Sequence, residues 1–70
     1  MPTEASWNYF LDNKEQWLDE HPGCYVVIKD GKFCGMYTTA QNLEANTAKY
    51  GDDLLIMHLD PDGVKEYKAS

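Results

Sequence analysis

The side chains best suited to chemistry in this chain are two cysteines, Cys24 and Cys34, and two histidines, His21 and His58. His21-x-x-Cys24 has the spacing of a ligand pair, but a zinc site needs four ligands, or three and a water. The other donors, Cys34 and His58, lie on separate apolar segments. A nucleophilic thiol needs a nearby base and an exposed, electropositive setting. Both cysteines instead sit among β-branched and aromatic residues of an acidic chain, so buried free thiols are the expectation. Asp60, Asp62 and Gly63 look like part of a calcium loop. The regular oxygen ligands and the closing Glu are missing, which leaves a turn. The glycines are scattered singly, so no Gly-rich phosphate loop is present. The expectation is no catalytic residue, no metal site and no cofactor.

The elements that carry these residues follow from periodicity. Residues 4–20 read as an amphipathic helix with Trp7, Phe10, Leu11, Lys14, Trp17 and Leu18 on one face. Thr3 or Ser6 can cap it, and Glu4 suits the positive end of the helix dipole. His21-Pro22-Gly23 stops it. Residues 24–29 and 32–37 read as two strands joined by Asp30-Gly31, a strong two-residue hairpin signal. Thr38-Thr39-Ala40-Gln41 has a capping-box pattern and opens a second helix running to Tyr50, with Gly51 placed to end it at positive φ. That helix has a thin apolar stripe of Ala40, Leu43, Thr47 and Tyr50. Residues 54–59 form a near-continuous apolar strand, and Asp60-Pro61-Asp62-Gly63 a turn. The tail 60–70 is expected to be flexible, with Val64 and Tyr67 packing locally at most.

The predicted fold class is α+β, a single αββαβ domain over residues 1–70 with its ordered core at about 4–59. A right-handed crossover places the third strand beside the first, so a three-stranded sheet of order 2-1-3 is expected, with both helices on one face.

A two-residue loop sets the hairpin register. Lys29 should face Lys32, Ile28 Phe33, Val27 Cys34, Val26 Gly35, Tyr25 Met36, and Cys24 Tyr37. Cys24 then shares a face with Val26, Ile28, Phe33 and Tyr37, while Cys34 lies opposite with Tyr25, Val27 and Met36. Side chains on opposite faces cannot be joined, which argues against an internal disulfide.

Composition narrows the partners. The net charge is −6 and all six cations are lysines. Without Arg, bidentate reading of guanine and tight phosphate clamping are disfavoured, so no direct nucleic-acid binding is expected. No apolar run approaches the ~20 residues a bilayer-spanning helix needs. The start Met1-Pro2-Thr3-Glu4 lacks the basic and apolar regions of a signal peptide, so a cytoplasmic location is expected, with no membrane partner.

Two surfaces stand out. Asn8, Asp12, Glu15 and Asp19 form a polar stripe on the first helix, and Asp52, Asp53, Asp60 and Asp62 gather near the ends of the last strand. Such a stripe is either a solvated face or a docking face for a basic surface. On the sheet, Tyr25, Val27, Cys34 and Met36 face away from the helices in this register. They are joined by Leu55, Met57 and Leu59, or else by Leu54, Ile56 and His58. That is a contiguous apolar patch of the kind that marks an interface.

The stretch from Phe10 to Leu59 resembles a widespread family of small prokaryotic domains of unknown function, whose pattern runs yxGkyVvIkdgxvxGxydt, an Ala-rich helix, then kyGdxpfLi. The matching residues here are Gly23, Tyr25, Val26, Val27, Ile28, Asp30, Gly31, Gly35, Tyr37, Thr38, Lys49, Tyr50, Gly51, Asp52, Leu55 and Ile56. The resemblance implies an αββαβ fold and no catalytic residues. Asn42 and Asn46 depart from it, standing where the family tends to have small residues.

The functional expectation is a non-enzymatic interaction module acting through the outer sheet face, residues Tyr25, Val27, Cys34, Met36 and Met57, by homodimerisation or partner binding. The alternative is a small acidic inhibitor of the phage or mobile-element type, presenting Asp12, Glu15 and Asp19 to a basic enzyme or nucleic-acid-binding protein. A thiol or metal enzyme comes third.

Overall fold

The computed structural model describes residues 3–50 and 54–67. Gly51, Asp52 and Asp53, and the expectations placed on them, lie outside these residues.

Helix α1 spans Glu4–Glu20. Thr3 is its N-cap, with extended backbone and a side chain that accepts from the Ser6 N–H at 3.2 Å. At the other end the His21 N–H closes on the Trp17 carbonyl at 2.7 Å, and Gly23 takes φ 85° to redirect the chain. Strands β1 (Tyr25–Lys29) and β2 (Lys32–Tyr37) follow. Asp30 and Gly31 have φ of 52° and 77°, the two left-handed residues that a type I′ hairpin requires.

Helix α2 covers Ala40–Thr47 and continues as a 3₁₀ turn over Ala48–Tyr50. Its cap is Thr39 rather than Thr38, accepting from the Asn42 N–H at 3.2 Å. Thr47 turns its hydroxyl back onto the Leu43 carbonyl at 2.7 Å, satisfying itself inside the helix while its side chain is buried. Asn42 and Asn46 are exposed, and the Asn46 amide donates to the Asn42 carbonyl. Strand β3 is Leu54–His58.

Among the described residues the sheet has four strands, not three. Its order is β2-β1-β3-β4, every pair antiparallel. The first three stand in the expected 2-1-3 arrangement. Strand β4 is Lys65–Glu66, paired with His58 and Met57, within the stretch expected to be flexible. It forms because Val64 and Tyr67 on either side of it pack onto the body of the protein.

The hairpin register holds only next to the turn. Lys29 faces Lys32 and Ile28 faces Phe33. Val27 then faces Gly35, Val26 faces Met36 and Tyr25 faces Tyr37. Cys34 is the extra residue of a β-bulge, so every later residue of β2 is displaced by one position. A displacement by one exchanges the two faces. Met36 therefore joins the Val26 side and Tyr37 the Val27 side, the reverse of the expectation.

The helices also separate. Phe10 of α1 packs with Val26, Ile28, Leu55, Met57 and Leu59 on one side of the sheet. Leu43 of α2 packs with Val27 and Ile56 on the other. The expectation that both helices share one face is thus corrected. The near-continuous apolar runs of β1 and β3 are the physical counterpart: Val26, Val27 and Ile28 are all fully buried, as central strands covered on both faces require.

Candidate functional site

The face under α2 holds the most distinctive arrangement in the structure. One lateral row of the sheet reads Tyr37, Tyr25, His58, Lys65 across β2, β1, β3 and β4. The Tyr25 and His58 rings stack with centroids 4.3 Å apart and planes 11° from parallel. Tyr67, just past β4, meets the Tyr25 ring edge-on at 5.4 Å. Its backbone N–H donates to the Ile56 carbonyl at 2.8 Å, and its phenol donates to Glu44 Oε1 of α2 at 2.6 Å. The carboxylate that accepts this bond, followed by burial and nearby charge, raises the Tyr67 pKa above its ordinary value. Among the described residues, the segment after the Asp60–Gly63 turn is thus tied to the sheet, to a row tyrosine and to α2 at once.

The row depends on Cys34 being left out of the pairing. If Cys34 were paired in regular alternation, Tyr37 would fall on the α1 side and could not stand beside Tyr25. Gly35 gives the ring room: a Cβ there would lie 2.9 Å from Tyr37 Oη, so the ring would have to shift. The Tyr37 ring therefore lies over a strand position that has no side chain.

Helix α2 has only eight residues and seals the centre of this face through Leu43, leaving Tyr25, Cys34, Tyr37, Leu54, His58 and Tyr67 half-buried around it. Of the five residues expected to form one outer surface, Tyr25, Val27 and Cys34 do share this side, and Val27 is wholly buried beneath Leu43. Met36 and Met57 pack on the α1 side, Met57 at 6 % exposure. Of the two sets considered for the third strand, Leu54, Ile56 and His58 are the ones on the α2 side. Tyr37 and Tyr67 stand outside the expected surface, and His58 entered it only through the second of those sets. A lone glycine within a strand is the sequence signal of a bulge, and Gly35 carries it.

The cysteines stay apart. Both are free and half-buried, Cys24 packing on the α1 side and Cys34 on the α2 side. His58 shares a side with Cys34, but Cys34, on β2, lies beside Val27 and Ile28 of β1, while His58, on β3, pairs with Tyr25 at the other end of β1. Strand β1 therefore stands between them. Among the described residues no three His, Cys, Asp or Glu side chains gather as metal ligands. Asp60 and Asp62 form a turn instead, with the Asp62 N–H donating to Asp60 Oδ1 at 2.9 Å.

Asp12, Glu15 and Asp19 lie exposed on the outer side of α1. Among the described residues the ion pairs are His21–Glu20 and Lys65–Asp60, each at 3.9 Å, and neither involves that stripe. Beside α1, Phe33 is 47 % exposed and its ring lies 6.0 Å from Trp17, while Leu11 is 60 % exposed. No helix among the described residues is long and apolar enough to cross a membrane.

No protein-family profile matches the chain, and neither a curated protein nor a solved structure shows significant similarity to it.

Proposed function

We propose that this chain is a non-enzymatic protein-interaction module that works through the half-covered face of its sheet, centred on Tyr25. The observation that carries the reading is the row Tyr37–Tyr25–His58 with Tyr67 against it, an aromatic surface only partly sealed by α2. Tyrosine is enriched at protein interfaces because it offers a large rigid contact and one polar end at low conformational cost. The occupant is a second copy of the chain or another protein.

A second reading places the interface on α1, where Asp12, Glu15 and Asp19 are exposed and free of ion pairs among the described residues. Such a surface suits a basic partner, and salt weakens its binding. One experiment separates the two. A photo-crosslinking residue is placed at Lys65, at the end of the row, or at Asp12. Crosslinks to protein from Lys65 alone, or to the chain itself, support the first reading. Crosslinks from Asp12 alone that disappear at high salt support the second and defeat the first.

A further inference from the structure

We infer that the occupant is a second copy and that the two chains exchange their last described segment: Val64–Tyr67 of each leaves its own β3 and takes the same seat on the other. This rests on the reading of the Tyr25 face as an interaction surface.

The seat is already visible within one chain. The Tyr67 N–H donates to the Ile56 carbonyl, its ring abuts Tyr25 and its phenol reaches Glu44. Lys65 faces His58 and Glu66 faces Met57, while Val64 packs into the α1 side. None of these contacts depends on whether strap and seat belong to one polypeptide. Exchange re-forms all of them and leaves only the hinge rearranged, which makes it a low-cost route to a two-fold pair.

The strap is lightly held. Strand β4 contributes two exposed ladder residues, and Val64 and Tyr67 are half-buried. Segments with few buried apolar groups open locally long before the whole domain unfolds. The hinge is Asp60–Gly63, closed by the Gly63 N–H on the Asp60 carbonyl at 2.9 Å. Pro61 has no N–H and steers Asp60 toward extended backbone, so an opened hinge continues β3 as extended chain. In the exchanged pair the two hinges run side by side. That brings Asp60 and Asp62 of both copies together; Lys65, which lies 3.9 Å from Asp60 within one chain, offsets one carboxylate of each copy, and the remaining repulsion is screened by salt. Exchange is therefore favoured at high ionic strength, the opposite of docking to a basic partner.

Two cross-strand cysteine pairs test this, Met57→Cys with Glu66→Cys and His58→Cys with Lys65→Cys, each with Cys24→Ser and Cys34→Ser. Adjacent pairs on an antiparallel ladder alternate in geometry, so the two designs sample both kinds of site. Chains refolded over a range of concentrations are oxidised with oxidised glutathione, then compared by denaturing electrophoresis and, before oxidation, by sedimentation. The expected result is a covalently linked dimer that increases with refolding concentration and with salt, and is absent for Glu66→Cys alone. Dimers by sedimentation whose oxidised chains remain covalent monomers overturn the exchange and leave self-association through the face standing. Monomers at every concentration overturn both the exchange and the self-associating form of the reading.

Discussion

The Gly31 N–H donates to Ser6 Oγ at 2.9 Å, tying the tip of the hairpin to the first turn of α1 across 25 residues of sequence. In a two-residue hairpin loop this N–H has no ladder partner. Ser6 is wholly buried, its hydroxyl also lies 3.1 Å from Thr3 Oγ1, and the Ala5 methyl fills the space beside Gly31. One small hydroxyl thus links the helix cap to the turn, and so fixes α1 against the α1 side of the sheet.

Ser6→Ala should therefore destabilise the fold by about 1–2 kcal/mol, because it leaves the Gly31 donor without its partner. Gly31→Ala should cost at least as much, since the position has φ 77° and a Cβ there would lie 3.1 Å from Ala5 Cβ. Urea unfolding measures both. A Ser6→Ala variant as stable as the parent would show that water replaces the hydroxyl.

Deleting Cys34 should preserve the fold. Removal of the extra residue leaves Phe33 opposite Ile28, Gly35 opposite Val27, Met36 opposite Val26 and Tyr37 opposite Tyr25, the pairs already present. Deleting Phe33 instead leaves the strand without the residue that faces Ile28 and lies against Trp17. Thermal unfolding followed by circular dichroism should show a cooperative transition for the first deletion and a much weaker one for the second. Loss of cooperativity on removing Cys34 would mean that the bulge itself is essential.

Leu43→Ala should cost about 2–5 kcal/mol, the range for a large-to-small change in a filled core. Leu43 is the one fully buried apolar side chain of α2 among the described residues, so the loss falls on the whole attachment of that helix. Leu11→Ala, on an exposed position, should change stability by less than about 0.5 kcal/mol. Denaturant midpoints of the two variants provide the comparison.

Alkaline titration should resolve Tyr67. Its raised pKa means the folded chain holds the phenol proton more tightly than the unfolded chain does. The contribution to stability is therefore complete below the ordinary tyrosine pKa of about 10 and is lost as pH rises through the higher folded value. Tyrosinate absorbance should lose a component that titrates above the ordinary tyrosine value in Tyr67→Phe, and Glu44→Gln should move that component to lower pH. No change in Glu44→Gln would rule out the Glu44 bond as the main cause.

The hairpin turn, the two helices and the 2-1-3 core order were legible because each rests on local chemistry: Asp30-Gly31 for the turn, Thr3 and Pro22 for the limits of α1, and apolar runs for the strands. The bulge was not, because regular alternation was carried past Gly35, and whether a strand glycine marks a bulge depends on what packs over it. Here that is the ring of Tyr37. The same displacement exchanges the faces of Met36 and Tyr37 and creates the aromatic row, which regular alternation does not show. The placement of α2 opposite α1 was hard to see for another reason. Its stripe is thin, and a thin stripe does not say which side of a sheet it serves. The unbroken apolar run Val26-Val27-Ile28 is the sequence signal that both sides are covered. Strand β4 was missed because Lys65 and Glu66 carry no apolar signal, their pairing being supported by the neighbours Val64 and Tyr67.

The bulge at Cys34 and the two-residue length of β4 have a joint consequence at the margins of the sheet. Strand β2 and strand β4 are its two edges. A bulged edge that starts with Lys32 is a poor template for another strand, and an edge of two residues with Lys65 on it is hardly a template at all. A protein that carries this aromatic surface on one face is thereby expected to resist edge-to-edge growth into fibres.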